Sequence, residues 1–209
     1  MWVPLLVLFG PTAVAVRTGR GSLGKRPDGQ RSWAFWFLFA PYLVLSRVLF
    51  DLTVIFSRER PFAVAAPNLA FGRRLTEREA RRSDFASVLD LAAEFIEVRT
   101  FRQLSGYHSL PVFDTTAPTP EQLRFAVEWL RDAVARGPVY VHCALGHGRS
   151  ACVILAYLLA TGVVATVAEG MKLRREKRPN VKLHASQRDA LRRRRTVPDA
   201  ECAWSDGEM

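Results

Sequence analysis

The chain is poor in cysteine, in acidic residues and in metal-ligand spacings. Its 209 residues include three cysteines, Cys143, Cys152 and Cys202. That is too few for a disulfide framework and suits a reducing compartment. No cysteine or histidine cluster has zinc-ligand spacing, so no metal site is expected. Acidic residues number 20 against 30 basic ones, a formal net charge of +10. Such an excess suits nucleic acid, an anionic membrane surface or an anionic substrate. Nucleic-acid motifs and aromatic-interleaved basic grooves are missing, which removes the first of these. Also missing is an uncharged run of full membrane length. Residues 2–16 are charge-free but as a helix would reach about 22 Å, short of the roughly 30 Å hydrocarbon core. Nor do basic residues precede that run, as a secretory signal requires; Arg17, Arg20, Lys25, Arg26 and Arg31 follow it. Ala13-Val14-Ala15 imitates a cleavage site weakly. The hydrophobic beginning leads us to expect a natural start further upstream.

A second apolar segment runs from Trp33 to Phe56, with Ser32 to Ser46 uncharged. Arg47 and Asp51 fall one helical turn apart on a narrow polar stripe, and Arg58 continues it. The segment either spans, breaking near Pro41, or lies in the interface with Trp33, Trp36 and Tyr42 at headgroup depth. A charge pair inside lipid is costly, which favours the interfacial reading. A helix hairpin in a soluble core is the third possibility. The Gly- and Arg-rich residues 17–31, with the turn Arg26-Pro27-Asp28-Gly29, belong on the cytoplasmic side by the positive-inside rule.

What is present is one distinctive stretch, Val139-Tyr140-Val141-His142-Cys143-Ala144-Leu145-Gly146-His147-Gly148-Arg149-Ser150. A β-branched and aromatic run ends at a cysteine. A loop with two glycines, an arginine and a serine then leads into a long apolar helix. Backbone N–H groups curled into a nest at a helix start hold a phosphate without a metal. Gly146 and Gly148 permit the turns this requires. Arg149 offers a planar fork that matches two phosphate oxygens. Cys143 sits at the strand end, facing the centre, and the same positive field favours its thiolate, the nucleophilic form. Ser150 can donate to that sulfur when it leaves, and His142 can support the loop from behind. Residues 144–149, that is Ala144, Leu145, Gly146, His147, Gly148 and Arg149, form the expected substrate cradle.

The pattern His-Cys-x-x-Gly-x-x-Arg-Ser is the signature of the cysteine-based protein tyrosine phosphatase superfamily. Here it resembles the loop of small atypical dual-specificity phosphatases. The resemblance covers about residues 65–190 and implies a cysteinyl-phosphate mechanism with no metal or cofactor. It also implies a general acid on a strand-end loop roughly thirty residues before the cysteine. Asp114 fits, at the end of a strand expected over Tyr107 to Phe113. Asp132 falls within an expected helix and Asp90 within a strand or turn. Arg178-Pro179 looks like the family's Arg-Pro after the penultimate helix. Lipid-directed relatives often carry lysines in the loop, whereas Ala144, Leu145 and His147 occupy those positions. The expected substrate is therefore a phosphotyrosine, phosphoserine or phosphothreonine protein at the membrane. A phospholipid or polyol phosphate is the alternative, and a non-catalytic phosphate-binding scaffold the second alternative.

Strands alternate with helices after about Arg60, which predicts an α/β fold with a mostly parallel central sheet flanked by helices, preceded by one or two membrane-associated helices. Strands are expected at Phe62 to Ala66, Leu69 to Phe71, Ser87 to Leu91 and Pro138 to His142. Helices are expected at Thr76 to Phe85 (a capping box opens it), Glu94 to Leu104, Pro120 to Arg136, Ser150 to Ala160, Thr166 to Lys177 and Ala185 to Arg195. The organisation is thus a membrane-associated region 1–59, a catalytic domain 60–196 and an acidic tail 197–209, with the catalytic domain in the cytoplasm. Cys152 reads as core filler. The basic run Lys172 to Arg195 is either a solvated face or a docking patch for phosphoinositide or protein.

Overall fold

The structure, a computed structural model, describes residues 23–195. The apolar run 2–16, Arg17, Arg20 and the acidic tail lie outside the described residues. A long helix, α1 (Trp33–Phe56), precedes a five-stranded sheet of β1 (Phe62–Ala66), β2 (Leu69–Arg73), β3 (Ser87–Ala92), β4 (Gly106–Val112) and β5 (Val139–Cys143). The strand order is β1-β2-β5-β3-β4. β2, β5, β3 and β4 run parallel, and the edge strand β1 is antiparallel. The helices are α2 (Glu77–Ala80), α3 (Arg99–Arg102), α4 (Pro120–Arg136), α5 (Arg149–Ala160), α6 (Val167–Lys177) and α7 (Ala185–Arg195). The expected α/β architecture is therefore present.

Alternation along the strands splits the interior into two layers. Leu69, Phe71, Leu89, Leu91, Val139 and Val141 face the long helices α4 to α7. Ala70, Val88 and Tyr140 face the short helices α2 and α3. β5 is buried throughout, as a central parallel strand must be. α5, which follows it, buries ten of its residues. This strand-loop-helix unit carries Cys143 at its turning point, between two buried elements.

Two helices are shorter than expected. α2 has its capping box, with Thr76 and Glu79 exchanging bonds, but it closes after one turn. Arg82 and Ser83 bond back three residues rather than four, and the Ser83 hydroxyl donates to the Ala80 carbonyl. Glu94 to Val98 is not helical; α3 is confined to Arg99–Arg102. Glu94 and Glu97 are both buried, and each is paired with a cation from a distant segment, Arg149 and His142. α1, by contrast, runs unbroken through Pro41.

The described part of the N-terminal region is tied into the domain. Phe39 and Leu43 pack on Ala93 and Leu23, Tyr42 stacks on Phe113, and Phe50 packs on Ala92 and Phe95. Lys25 is fully buried and donates to Asp90 Oδ2 at 2.5 Å and to the Ala92 carbonyl at 2.7 Å. Arg31 donates to the Ala93 carbonyl. Two of the basic residues expected to mark a cytoplasmic loop thus serve an internal purpose, because their partners lie at the carboxyl end of β3.

Asp90 pairs in register with His142 on the neighbouring strand. His142 Nε2 lies 3.0 Å from Glu97 Oε2 and 4.0 Å from Asp90 Oδ1. The Glu97 contact is an ion pair without hydrogen-bond alignment. Arg74 stands 3.9 Å from the other Glu97 oxygen. Asp90, Glu97 and His142 bring three ligand atoms close together, and Lys25 and Arg74 stand beside the two carboxylates. Burial opposes ionisation of Glu97, yet His142 and Arg74 outweigh it and hold the carboxyl at about 2. Burial also opposes charge on His142, and Glu97 and Asp90 outweigh it, so His142 is raised above 6.5.

Two outcomes follow from this network. Lys25→Met strands Asp90 without its cation and should cost about 3–5 kcal/mol in urea denaturation. Glu97 contributes stability above its ordinary 4.5 and loses it as pH falls toward about 2; His142 contributes below 6.5 and loses it as pH rises through its raised value. The penalty of Glu97→Gln should therefore peak between roughly pH 4.5 and 6.5 and shrink on both sides, which midpoint-versus-pH curves of the two proteins will read.

Candidate active site

The loop from Cys143 to Arg149 is shaped by what its carbonyls bind. The Ala144 carbonyl accepts from Arg74 N at 2.8 Å, the Leu145 carbonyl from Arg178 at 3.2 Å and the His147 carbonyl from Lys182 N at 3.2 Å. In a planar trans peptide the N–H points opposite to the C=O. Each outward carbonyl therefore turns the next N–H inward, at Leu145, Gly146 and Gly148. Gly146 N donates to Cys143 Sγ at 3.3 Å. The N-terminus of α5 begins at Arg149 and adds its positive end.

The two glycines act differently. Gly146 has φ 79°, and a Cβ there would collide with the Gly72 carbonyl. Gly148 sits at φ −114°, where other residues are allowed; a Cβ there would press against the Gln187 amide at 3.2 Å. The turn requires a glycine at 146, and close approach favours one at 148.

Cys143 is 3% exposed, with Sγ 3.6 Å from Ser150 Oγ. His142 faces away into the network beneath the sheet and touches the Cys143 carbonyl through Nδ1 at 3.3 Å. Cys152, on α5, is core, as expected; burial pushes its thiol up to about 12. Arg149 is buried and gripped by Glu94, Nη1 to Oε2 at 2.8 Å and Nη2 to Oε1 at 2.6 Å, and it also donates to the Val112 carbonyl at 2.9 Å. Burial disfavours its charge, but Glu94 and then Cys143 and Asp114 favour it more, so the guanidinium is held well above its ordinary range. Its Nε–H is buried and has no partner. It is the one guanidinium N–H direction of Arg149 that Glu94, Val112 and Asp114 leave unengaged.

Asp114 stands 3.0 Å from Arg149 Nη2, with its side chain 57% exposed. Thr115 after it takes a left-handed φ of 64°, and Thr116 bonds back to the Phe113 carbonyl through both its amide and its hydroxyl. This tight turn ends β4 and brings Asp114 to the cleft that Cys143 and Arg149 also line. Asp90 is enclosed by Lys25 and Tyr107, and Asp132 is on the exposed side of α4. Neither reaches the cleft.

Two residues at the site lay outside the sequence reading. Glu94 is the counter-ion of Arg149. Glu59, three residues beyond α1, holds His147 Nε2 at 2.6 Å and Arg178 at 3.0 Å. Arg178 in turn donates to the Arg60, Pro61 and Leu145 carbonyls. Of the basic run, Arg174 and Arg178 are buried, and Arg174 lies over the Phe71 ring. The cleft has a volume of about 710 Å³. One side is the cysteine loop with Glu94 and Asp114, and another is α1.

With this geometry in view, the comparisons agree on the fold. Residues 70–196 match the family model described as dual specificity phosphatase, catalytic domain. A curated relative, the phosphatidylglycerophosphate phosphatase PTPMT2 of Arabidopsis thaliana, is 40% identical over 76 residues, 36% of this chain and 33% of that protein. The chain thus spans about a third of that relative's length. Tk-PTP in its active form is 28% identical with a TM-score of 0.57, over 66% of this chain and 98% of that one. PTPMT1 in complex with PI(5)P is 19% identical with a TM-score of 0.56, over 64% and 94%, a likeness of fold. This chain belongs to the dual specificity phosphatase catalytic-domain family, and is a cysteine-based phosphatase of the protein tyrosine phosphatase superfamily whose N-terminal helix is long and apolar enough to cross a membrane.

Proposed function

We propose that the chain is a membrane-bound phosphomonoesterase acting on a phospholipid. The observation that carries this is the position of α1. Phe39, Leu43 and Phe50 fix it to the catalytic domain, while Trp33, Phe37, Val44, Val48, Leu52 and Ile55 stay exposed. A helix fixed along one side to a folded domain suits the plane of the interface, with its bare apolar face in lipid. The Arg47–Asp51 pair, at 2.7 Å and half exposed, then stays at headgroup level. The cleft beside α1 opens at that level too. The likeness to a phosphatidylglycerophosphate phosphatase supports the same reading. An in-plane helix also keeps the domain on the side of the preceding segment. Residues 1–59 are on this view an anchor and 60–196 the catalytic unit.

Cys143 thiolate attacks phosphorus in line with the leaving oxygen. The S–P bond forms as the P–O bond breaks, and Asp114 as the acid gives its proton to the departing alkoxide. The amides of residues 144–149 and the Arg149 Nε–H receive the equatorial oxygens. Proton transfer to the leaving group leaves Asp114 as the carboxylate, which then takes a proton from water as that water attacks phosphorus. The S–P bond breaks, and Ser150 donates a hydrogen bond to the departing sulfur. His142 and Glu94 are positioning residues for the cysteine and the arginine.

The phosphoprotein reading retains one supporting observation, the absence of lysine at 144, 145 and 147. A panel of phosphatidylglycerophosphate, phosphatidylinositol phosphates, and phosphotyrosyl and phosphothreonyl peptides is expected to rank the lipids first in kcat/KM. Peptides ahead of every lipid would reverse the assignment, and no turnover of any member or of an aryl phosphate would leave a scaffold. Cys143→Ser should abolish turnover. Asp114→Ala should slow substrates with poor leaving groups by about 10²–10⁴-fold and those with good ones far less; equal losses would remove Asp114 as the acid. Gly146→Ala, strained at positive φ and crowded by Gly72, should lower affinity for vanadate or phosphate by tenfold or more.

A further inference from the structure

The side of α1 toward the cleft is one helical stripe. Tyr42, Leu45, Ser46, Leu49, Phe50 and Thr53 all line the cavity that holds Cys143. Their spacing of three and four residues places them on a single face. Phe50 is spent on Phe95, 5.1 Å between ring centres. Leu45 and Leu49 are not spent: they are 46% and 55% exposed. By the turn of an α-helix they fall between the cleft stripe and the bare face of Val48 and Leu52. Arg47 and Asp51 fall on the other flank, between the bare face and the anchoring residues. An unbroken apolar path therefore runs from the catalytic loop, across Leu49 and Leu45, to the surface that enters lipid. The side of the cleft toward α7 carries Asn180, Lys182 and His184 instead.

We infer that Leu45 and Leu49 form a substrate-selecting wall that takes the proximal part of a phospholipid acyl chain while its phosphomonoester reaches Cys143. The polar side of the cleft faces the glycerol and ester linkages. This rests on the lipid reading above and adds to it a site for the chain. An extended acyl chain would stay in contact with apolar side chains from bilayer to cleft, so little of it meets water as the headgroup enters. The same exposure makes the pair specificity-determining, since lost apolar contact in such a wall changes discrimination by about tenfold or more.

The test uses the full chain and water-soluble substrates below their aggregation limit, so that membrane binding does not enter. The substrates are dihexanoyl phosphatidylglycerophosphate, its deacylated headgroup and an aryl phosphate. The wild-type protein is expected to favour the dihexanoyl compound over the headgroup by at least tenfold in kcat/KM. The Leu45→Ser/Leu49→Ser variant should lose most of that ratio, and Leu45→Ile/Leu49→Met should retain it. A ratio untouched by the serine pair, or an equal loss on all three substrates, overturns the inference. A wild type that cleaves both glycerol compounds without chain preference overturns it while leaving the lipid reading standing. Turnover of the aryl phosphate and neither glycerol compound defeats both.

Discussion

The site depends on a constraint of the peptide unit: one side of each plane accepts and the other donates. For amides to converge on Cys143, the carbonyls of the same loop must be satisfied on its outer side. They are, by Arg74, Arg178 and Lys182. Those three donors come from β2's end, from the residue after α6 and from the chain before α7. The loop is thus a product of four separated segments. The loop backbone at Gly146 comes so close to β2 that a Cβ there would collide with the Gly72 carbonyl. Buried carbonyls left without donors would cost on the order of 1–3 kcal/mol each, enough to turn the loop over and face the wrong groups toward the substrate.

Around this cradle the interior carries more charge than a small domain ordinarily hides. Arg149 pairs with Glu94, His142 with Glu97, Lys25 with Asp90 and Arg178 with Glu59. Desolvation cancels most of what such pairs gain, so their worth lies in orientation. Arg149 shows this. With Nη1 and Nη2 engaged by Glu94, Val112 and Asp114, the plane of its guanidinium is set. The same logic applies to Glu59, which joins the end of α1 to His147. Glu59 and the packing of Phe50 and Val54 on Ala144 and Leu145 tie the cysteine loop to the apolar helix.

On one cylinder α1 has three uses: an anchoring face against Ala92, Ala93 and Phe95, a cleft-lining stripe, and a bare apolar face. A helix that merely tethered the domain would need no such division. The apolar composition that would be excessive in a soluble surface helix is accounted for when one face is a protein contact and another meets lipid.

Much of this was written locally. The cysteine loop, the glycine at 146, the apolar α5 and the capped helix α4 follow from short-range rules, and the sequence predicts them within a residue or two. Pattern also places Asp114 at a strand end. Tertiary structure decided the rest, because the deciding forces act between segments far apart. Glu94 and Glu97 look like helix residues until Arg149 and His142 claim them. Lys25 and Arg31 look like a topological signal until Asp90 and Ala93 bury them. Glu59 has no signature at all; its role arises because α1 ends beside the phosphate loop. Local chemistry determined what the cysteine can do. Long-range packing determined what stands opposite it, since the face a mostly apolar helix turns toward a cleft is not encoded in its own periodicity but chosen by the domain it lies on.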